Sequence, residues 1–185
     1  MTARRPKRHG DRGKIVVEVL VQSPRWKARP RAAALLRRAI RTAARAVSTG
    51  GAELAIVLTD DSAIRALNRL WRRRDAPTNV LSFPAAKTAV PRPRGTGARR
   101  RAPPRLLGDI VIAYETVAQE AAAARKPFDH HLVHLAVHGF LHLLGHDHEN
   151  EREAETMERL EIAIMARLGV PDPYASDPGA APPRK

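Results

Sequence analysis

Three histidines, His138, His142 and His148, carry the clearest chemical signal in the sequence. They fall in the run His-Gly-Phe-Leu-His-Leu-Leu-Gly-His-Asp-His, with three residues between the first two and five between the second and third. Residues four apart on an α-helix share a face, so His138 and His142 can offer two imidazoles to one ion. Gly145 provides the left-handed conformation that ends a helix, which lets the chain reverse and return His148 as a third ligand. Three neutral imidazoles with an open fourth position are the donor set of a catalytic zinc, whereas structural sites close all four positions. Cysteine is absent, so any metal must be held by His, Asp or Glu, and disulfides are excluded. Seven of the eight histidines lie between His130 and His148, a clustering that chance scatter does not produce.

The neighbours of the trio narrow the chemistry. His134 lies one turn before His138 on nearly the same face. It is expected to stand behind the ligands or line the cleft, because a fourth protein ligand would close the site. Asp147 serves either to orient a ligand imidazole or as a turn residue bonding its own backbone. The spacing His-x3-His-x2-Gly-x2-His is shared with the metzincin proteases, which place a Glu directly after the first His as general base. Gly139 occupies that position here, and Met157 sits in a charged amphipathic segment rather than a Met-turn. Peptide hydrolysis needs both a base for water and an acid for the amine. Phosphodiester cleavage depends more on neutralising phosphate charge, which metal and arginine supply. With 33 Lys and Arg against 19 Asp and Glu, the net charge of +14 favours a polyanionic partner, nucleic acid first. Aromatic residues are too few for a base-stacking platform.

The elements that must position these groups follow from pattern. The 185 residues suffice for one domain with a real core. Residues 1–13 form a basic arm expected to be disordered and without the apolar stretch of a secretory signal. Ile15–Val21, Leu54–Leu58, Asn79–Phe83 and Leu107–Ala113 read as strands. Helices are expected from Pro30 to about Val47, from Asp61 or Ser62 to about Trp71, after Ala113 to about Arg125, from about Pro127 to Leu144, and from about Asn150 to Leu168. Residues 85–105 combine Pro91, Pro93, Pro103 and Pro104 with Arg92, Arg94, Arg99, Arg100, Arg101 and Arg105, and read as a long cationic loop. The Pro- and Ala-rich tail, 172–185, is expected to be disordered. The fold class is α+β, a single domain (14–171) in which about four strands of a mixed sheet pack with about five helices. No Gly-rich phosphate loop and no membrane-spanning stretch is present in the sequence.

Three ordered blocks resemble the YbeY endoribonucleases, the bacterial rRNA maturation RNases. One is the histidine run. The second holds Leu67-Asn68, Trp71-Arg72 and Asp75-x-Pro77-Thr78-Asn79-Val80-Leu81-Ser82-Phe83-Pro84, and the third is Leu107-Gly108-Asp109-Ile110-Val111-Ile112. The resemblance spans about residues 52 to 174. The chain departs from it in the basic arm, in the expanded Arg/Pro loop, and at His146, where the family often has Tyr and where an extra ligand becomes conceivable. The resemblance implies one zinc per chain held by His138, His142 and His148. It implies single-strand-specific endoribonuclease activity on rRNA, notably the small-subunit 3′ end, with a role in ribosome quality control. It also implies that Arg72 is the functional arginine; from residue type alone Arg72 is one of three cations, with Arg73 and Arg74, that favour a helix C-terminus. The general base stays open among His134, Asp147 and hydroxide on the metal. Arg73, Arg74 and the loop arginines would add phosphate contacts. The expected partners are single-stranded RNA and the ribosome or small subunit with its proteins, in the cytoplasm, without membrane or DNA. Two other readings stay open: a metallopeptidase or amidohydrolase, and a non-catalytic ribosome-assembly factor whose metal is structural.

Overall fold

A computed structural model of the chain describes residues 14–86, 104–146 and 150–175. The basic arm, the core of the Arg/Pro loop with Arg92, Arg94, Arg99, Arg100 and Arg101, and the pair Asp147 and His148 lie outside the described residues.

The fold is α+β. Strands β1 (Val16–Val21), β2 (Ala52–Thr59), β3 (Val80–Pro84) and β4 (Arg105–Ala113) form one mixed sheet in the order β1-β2-β4-β3. β1, β2 and β4 are parallel, and β3 runs antiparallel on the β4 edge. Among the described residues there are five helices, α1 (Ala32–Ala46), α2 (Asp61–Arg72), α3 (Tyr114–Ala123), α4 (Phe128–Leu143) and α5 (Glu151–Leu168); the first four pack with the sheet, and α5 packs on α1 and α4. The expected elements are all present, most ending within two residues of their expected bounds. A short 3₁₀ helix, Pro24–Ala28, is additional; Ser23 caps it, and it buries Trp26, whose indole N–H donates to Thr59 O at 2.8 Å.

One sheet face builds the main core. Val17, Leu54, Ile56, Leu58, Ile110 and Ile112 alternate along their strands and meet α1 and α4. The opposite face is covered at one end by α2, through Ile64, Leu81, Val111 and Ala113. Its other end leaves Val16, Leu20 and Leu106 exposed. α2 is tied to α3 by an exchange of bonds: Asp61 Oδ1 accepts from Thr116 N (3.1 Å) and Oγ1 (2.7 Å), while Asp61 N donates to Glu115 Oε2 (3.1 Å).

Two boundaries need correction. The basic loop does not run to 105, because Arg105 already pairs with Ala52 in the sheet. The disordered tail does not begin at 172, because residues 172–175 form an ordered turn back onto α4 and α5: Asp172 Oδ1 accepts from Tyr174 N at 2.8 Å, and Lys126 Nζ donates to Pro173 O at 2.5 Å. The prolines at 171 and 173 oppose a helix, but they do not prevent docking by a few specific hydrogen bonds.

Candidate metal centre

α4 is buried on nearly every side. Leu132, Val133, Leu135, Ala136, Val137, Gly139, Phe140, Leu141 and Leu143 all face protein. Past its first turn, where Asp129, His130 and His131 are also uncovered, what remains is a polar stripe with a spacing of four, His134, His138 and His142, at intermediate exposure. Burying so much apolar surface, worth roughly 1.5–3 kcal/mol for each large side chain, fixes the rotation of the helix and so the direction of the stripe. At its C-terminus Gly145 takes a left-handed conformation (φ +88°), with Gly145 N donating to His142 O (2.9 Å) and His146 N to Leu141 O (3.1 Å). The expected helix stop is therefore where the ligand pattern needs it.

His138 Nε2 and His142 Nε2 face each other at 3.1 Å. Two imidazole nitrogens bound tetrahedrally to one zinc stand about 3.3 Å apart, so the pair fits a shared ion. Behind them lies Glu161 of α5, fully buried. Its Oε1 is 2.8 Å from His138 Nδ1, and its Oε2 is 3.0 Å from His134 Nε2 and in contact with the Tyr174 hydroxyl. A carboxylate only accepts, so His138 carries its proton on Nδ1 and keeps the Nε2 lone pair turned toward His142. Burial pushes the Glu161 carboxyl up, but hydrogen bonds from His134, His138 and Tyr174 together outweigh it and hold the pKa at about 2. Burial, with the Glu161 anion alongside, pushes the Tyr174 phenol well above its usual range. His134 thus touches the carboxylate that orients His138. Among the described residues no group of three or more His, Cys, Asp or Glu completes a metal site, since the expected third ligand, His148, and its neighbour Asp147 are not described.

Gly139 has a packing reason as well as a chemical one. A Cβ there would stand 3.0 Å from Ile110 Cγ2 and 3.0 Å from Ser82 Oγ. The position points into the sheet, so a glutamate beside His138 would meet β3 and β4 rather than the cleft. Ser82 Oγ donates to Gly139 O at 3.2 Å, which ties β3 to the histidine helix.

Arg72 closes α2 and is exposed, as are Arg73 and Arg74. Arg73 is the left-handed C-cap (φ +57°), and Arg74 N donates to Asn68 O at 3.3 Å. Arg72 makes no side-chain hydrogen bond or ion pair among the described residues. The loop after it is held by a two-pronged pair from Arg65 to Asp75, both bonds 2.9 Å, and by Asn68 Nδ2 donating to Ala76 O at 2.8 Å. Trp71 stands edge-on to Phe83 of β3, ring centroids 5.8 Å apart. β3 therefore touches the arginine helix through Phe83 and the histidine helix through Ser82.

Residues 21–169 match the family model described as Endoribonuclease YbeY. The chain belongs to the YbeY family. A protein named Endoribonuclease YbeY from Rhodopseudomonas palustris is 60% identical over 160 residues, covering 85% of this chain and 80% of its own length. Those of Nitrobacter winogradskyi and Bradyrhizobium diazoefficiens are 58% and 54% identical, covering 86% and 89% of this chain and 82% and 87% of theirs. The solution structure of TM1509 from Thermotoga maritima has the same fold, with a TM-score of 0.53 at 23% identity, covering 90% of this chain and all of the other. Within this YbeY family member, motif reading missed Glu161 and Tyr174. The first left a trace: Met157, Leu160, Glu161, Ile164 and Leu168 fall at helical spacing, and an acid inside such a stripe must find partners. The second stands where the family resemblance ends, at Asp172-Pro173-Tyr174, but its role was not readable there, because its contact depends on how the chain turns after α5.

Proposed function

We propose that this chain is a zinc-dependent, single-strand-specific endoribonuclease that matures ribosomal RNA, with the small-subunit 3′ end as its principal substrate and ribosome quality control as its setting, in the cytoplasm. The observation that carries the reading is the facing pair His138 Nε2 and His142 Nε2, with Glu161 behind it, on a polar stripe of a largely buried helix. His138, His142 and His148 would hold one ion per chain. When bound, zinc would supply Lewis acidity toward a phosphate oxygen and toward water. Arg72 presents a planar guanidinium whose paired N–H groups match a phosphate and stabilise charge developing on it. His134 and Asp147 are the side chains proposed to handle the proton. Arg73, Arg74 and the loop cations Arg92, Arg94, Arg99, Arg100 and Arg101 would add contacts to the RNA backbone and to the small subunit. The peptidase reading loses its support at Gly139, where the fold has no room for the carboxylate that such a reaction uses.

The test compares zinc-loaded and chelator-stripped protein on a single-stranded RNA and its duplex. Arg72→Ala and His142→Ala proteins that remain folded are expected to lose about 10²–10³-fold in kcat on the single strand. Full activity in either would remove that residue from the mechanism. Cleavage of a peptide library without RNA cleavage would replace the nuclease by a peptidase.

A further inference from the structure

The turn after α5 brings one more side chain to the histidines. Gly169 is left-handed (φ +74°), its N–H donates to Ala166 O and that of Val170 to Met165 O, and Pro171 keeps the helix from resuming. The chain then runs back along α4, where the Lys126 bond to Pro173 and the Asp172 bond to the Tyr174 N–H hold the backbone leading into Tyr174, and Ala175 N donates to Asp172 O at 3.4 Å just past it. The ring of Tyr174 stands edge-on to His134, centroids 5.5 Å apart at 84°. Its hydroxyl reaches Glu161 Oε2, the same atom that His134 Nε2 approaches. Tyr174 lies beyond residue 169, where the match to the family model ends.

Glu161 has a demanding task. It is fully buried, and its two oxygens are divided between His138 on one side and His134 with Tyr174 on the other. If Oε2 is held by one donor alone, the carboxyl group is freer to rotate about its last torsion, which is broad and soft. Rotation swings Oε1 out of line with His138 Nδ1, and the ring loses the partner that selects its tautomer. Partners that orient a ligand in this way commonly govern metal affinity by 10–100-fold.

We propose that Tyr174 is a positioning residue of the metal centre: its hydroxyl locks the Glu161 carboxylate in the plane that keeps the proton on His138 Nδ1 and the His138 Nε2 lone pair aimed at the ion shared with His142. The inference rests on the zinc reading above. It makes the segment after α5 part of the site rather than a trailing end.

The test uses the full chain. Zinc affinity is measured by competition with a chromophoric chelator for the wild type, Tyr174→Phe, Glu161→Gln and the double variant. Because the Tyr174 side chain is partly exposed, removing only its hydroxyl leaves the fold intact. Tyr174→Phe is expected to bind zinc about tenfold more weakly. Glu161→Gln is expected to lose more, and the double variant no more than Glu161→Gln alone, because the tyrosine acts through the carboxylate. In metal-free protein, ¹⁵N NMR of the imidazoles is expected to show His138 protonated at Nδ1 in the wild type and a mixture of tautomers in Tyr174→Phe. This readout needs neither zinc nor a folded Glu161→Gln. Equal zinc affinity and equal tautomer in wild type and Tyr174→Phe would overturn the inference while leaving the zinc reading standing. Additive losses in the double variant would overturn it too. A wild-type chain that takes up no zinc would overturn both.

Discussion

Glu161 occupies a position that helical spacing would assign to a leucine, one turn after Met157 and just before Ile164. An ionised carboxylate there is tolerable only because three donors surround it. This makes stability depend on pH with a definite sign. The folded pKa, about 2, lies below the ordinary value of 4.5. The contribution is therefore complete above about pH 4.5 and is lost as pH falls toward 2. Metal-free protein is expected to lose on the order of 3 kcal/mol from this group across that window, at about 1.4 kcal/mol per unit. The difference in denaturant midpoints between wild type and Glu161→Gln should shrink accordingly as pH is lowered. The histidines were legible in the sequence because polar residues at a spacing of four on an otherwise apolar helix announce a face. The orienting acid was legible only in retrospect, since an amphipathic helix rich in Glu offers many acids and only the folded packing singles out the buried one. Arg72 was legible through the resemblance alone; its type and helix-end place describe Arg73 and Arg74 equally well.

At the scale of elements, the β3–β4 pairing sets the distance between the arginine helix and the histidine helix. Its tightest point is Gly108, opposite Pro84. Gly108 has φ +125°, and a Cβ would fall 2.0 Å from Phe83 O and 2.7 Å from Ala85 N. The β2–β4 register also slips here, with Leu106 opposite Glu53 but Gly108 opposite Leu54, so Leu107 is an extra residue in β4. Leu107 uses the slip to bury its side chain, and its carbonyl accepts from Ala85 N at 2.9 Å. Gly108→Ala combines a backbone clash with a strained φ and is expected to cost at least about 3 kcal/mol, measured by chemical unfolding. Gly139→Glu, which would restore the protease-like carboxylate, is expected to destabilise by a similar amount and to confer no peptidase activity. Strands and helices were readable because periods of two and of about four are strong local signals. The slip at Leu107, the 3₁₀ helix and the docked residues 172–175 were not, because each depends on contacts distant in sequence.

Across the whole molecule, the parallel order β1-β2-β4 with β3 turned around on the edge could not be read from the sequence beyond its mixed character, since strand order is decided by which faces the helices cover. The charge, by contrast, was plain. Removing residues 1–13 deletes Arg4, Arg5, Lys7, Arg8 and Arg12. RNA affinity is expected to fall, and the slope of log affinity against log salt to become shallower by about 0.7 for each phosphate that the arm neutralises in the full chain. Fluorescence anisotropy across a salt series measures both. No described helix is long and apolar enough to cross a membrane. The position of α5 and its following turn has a consequence in time. A chain made on a ribosome emerges from its N-terminus and folds as it emerges. His138 and His142 leave first, and Glu161 and Tyr174 follow only with the last described residues. During synthesis the two imidazoles exist for a while without the carboxylate that selects their geometry. On the zinc reading proposed above, their ability to grip an ion would be among the last properties the protein acquires, and a nuclease born amid ribosomal RNA would come into the world unarmed.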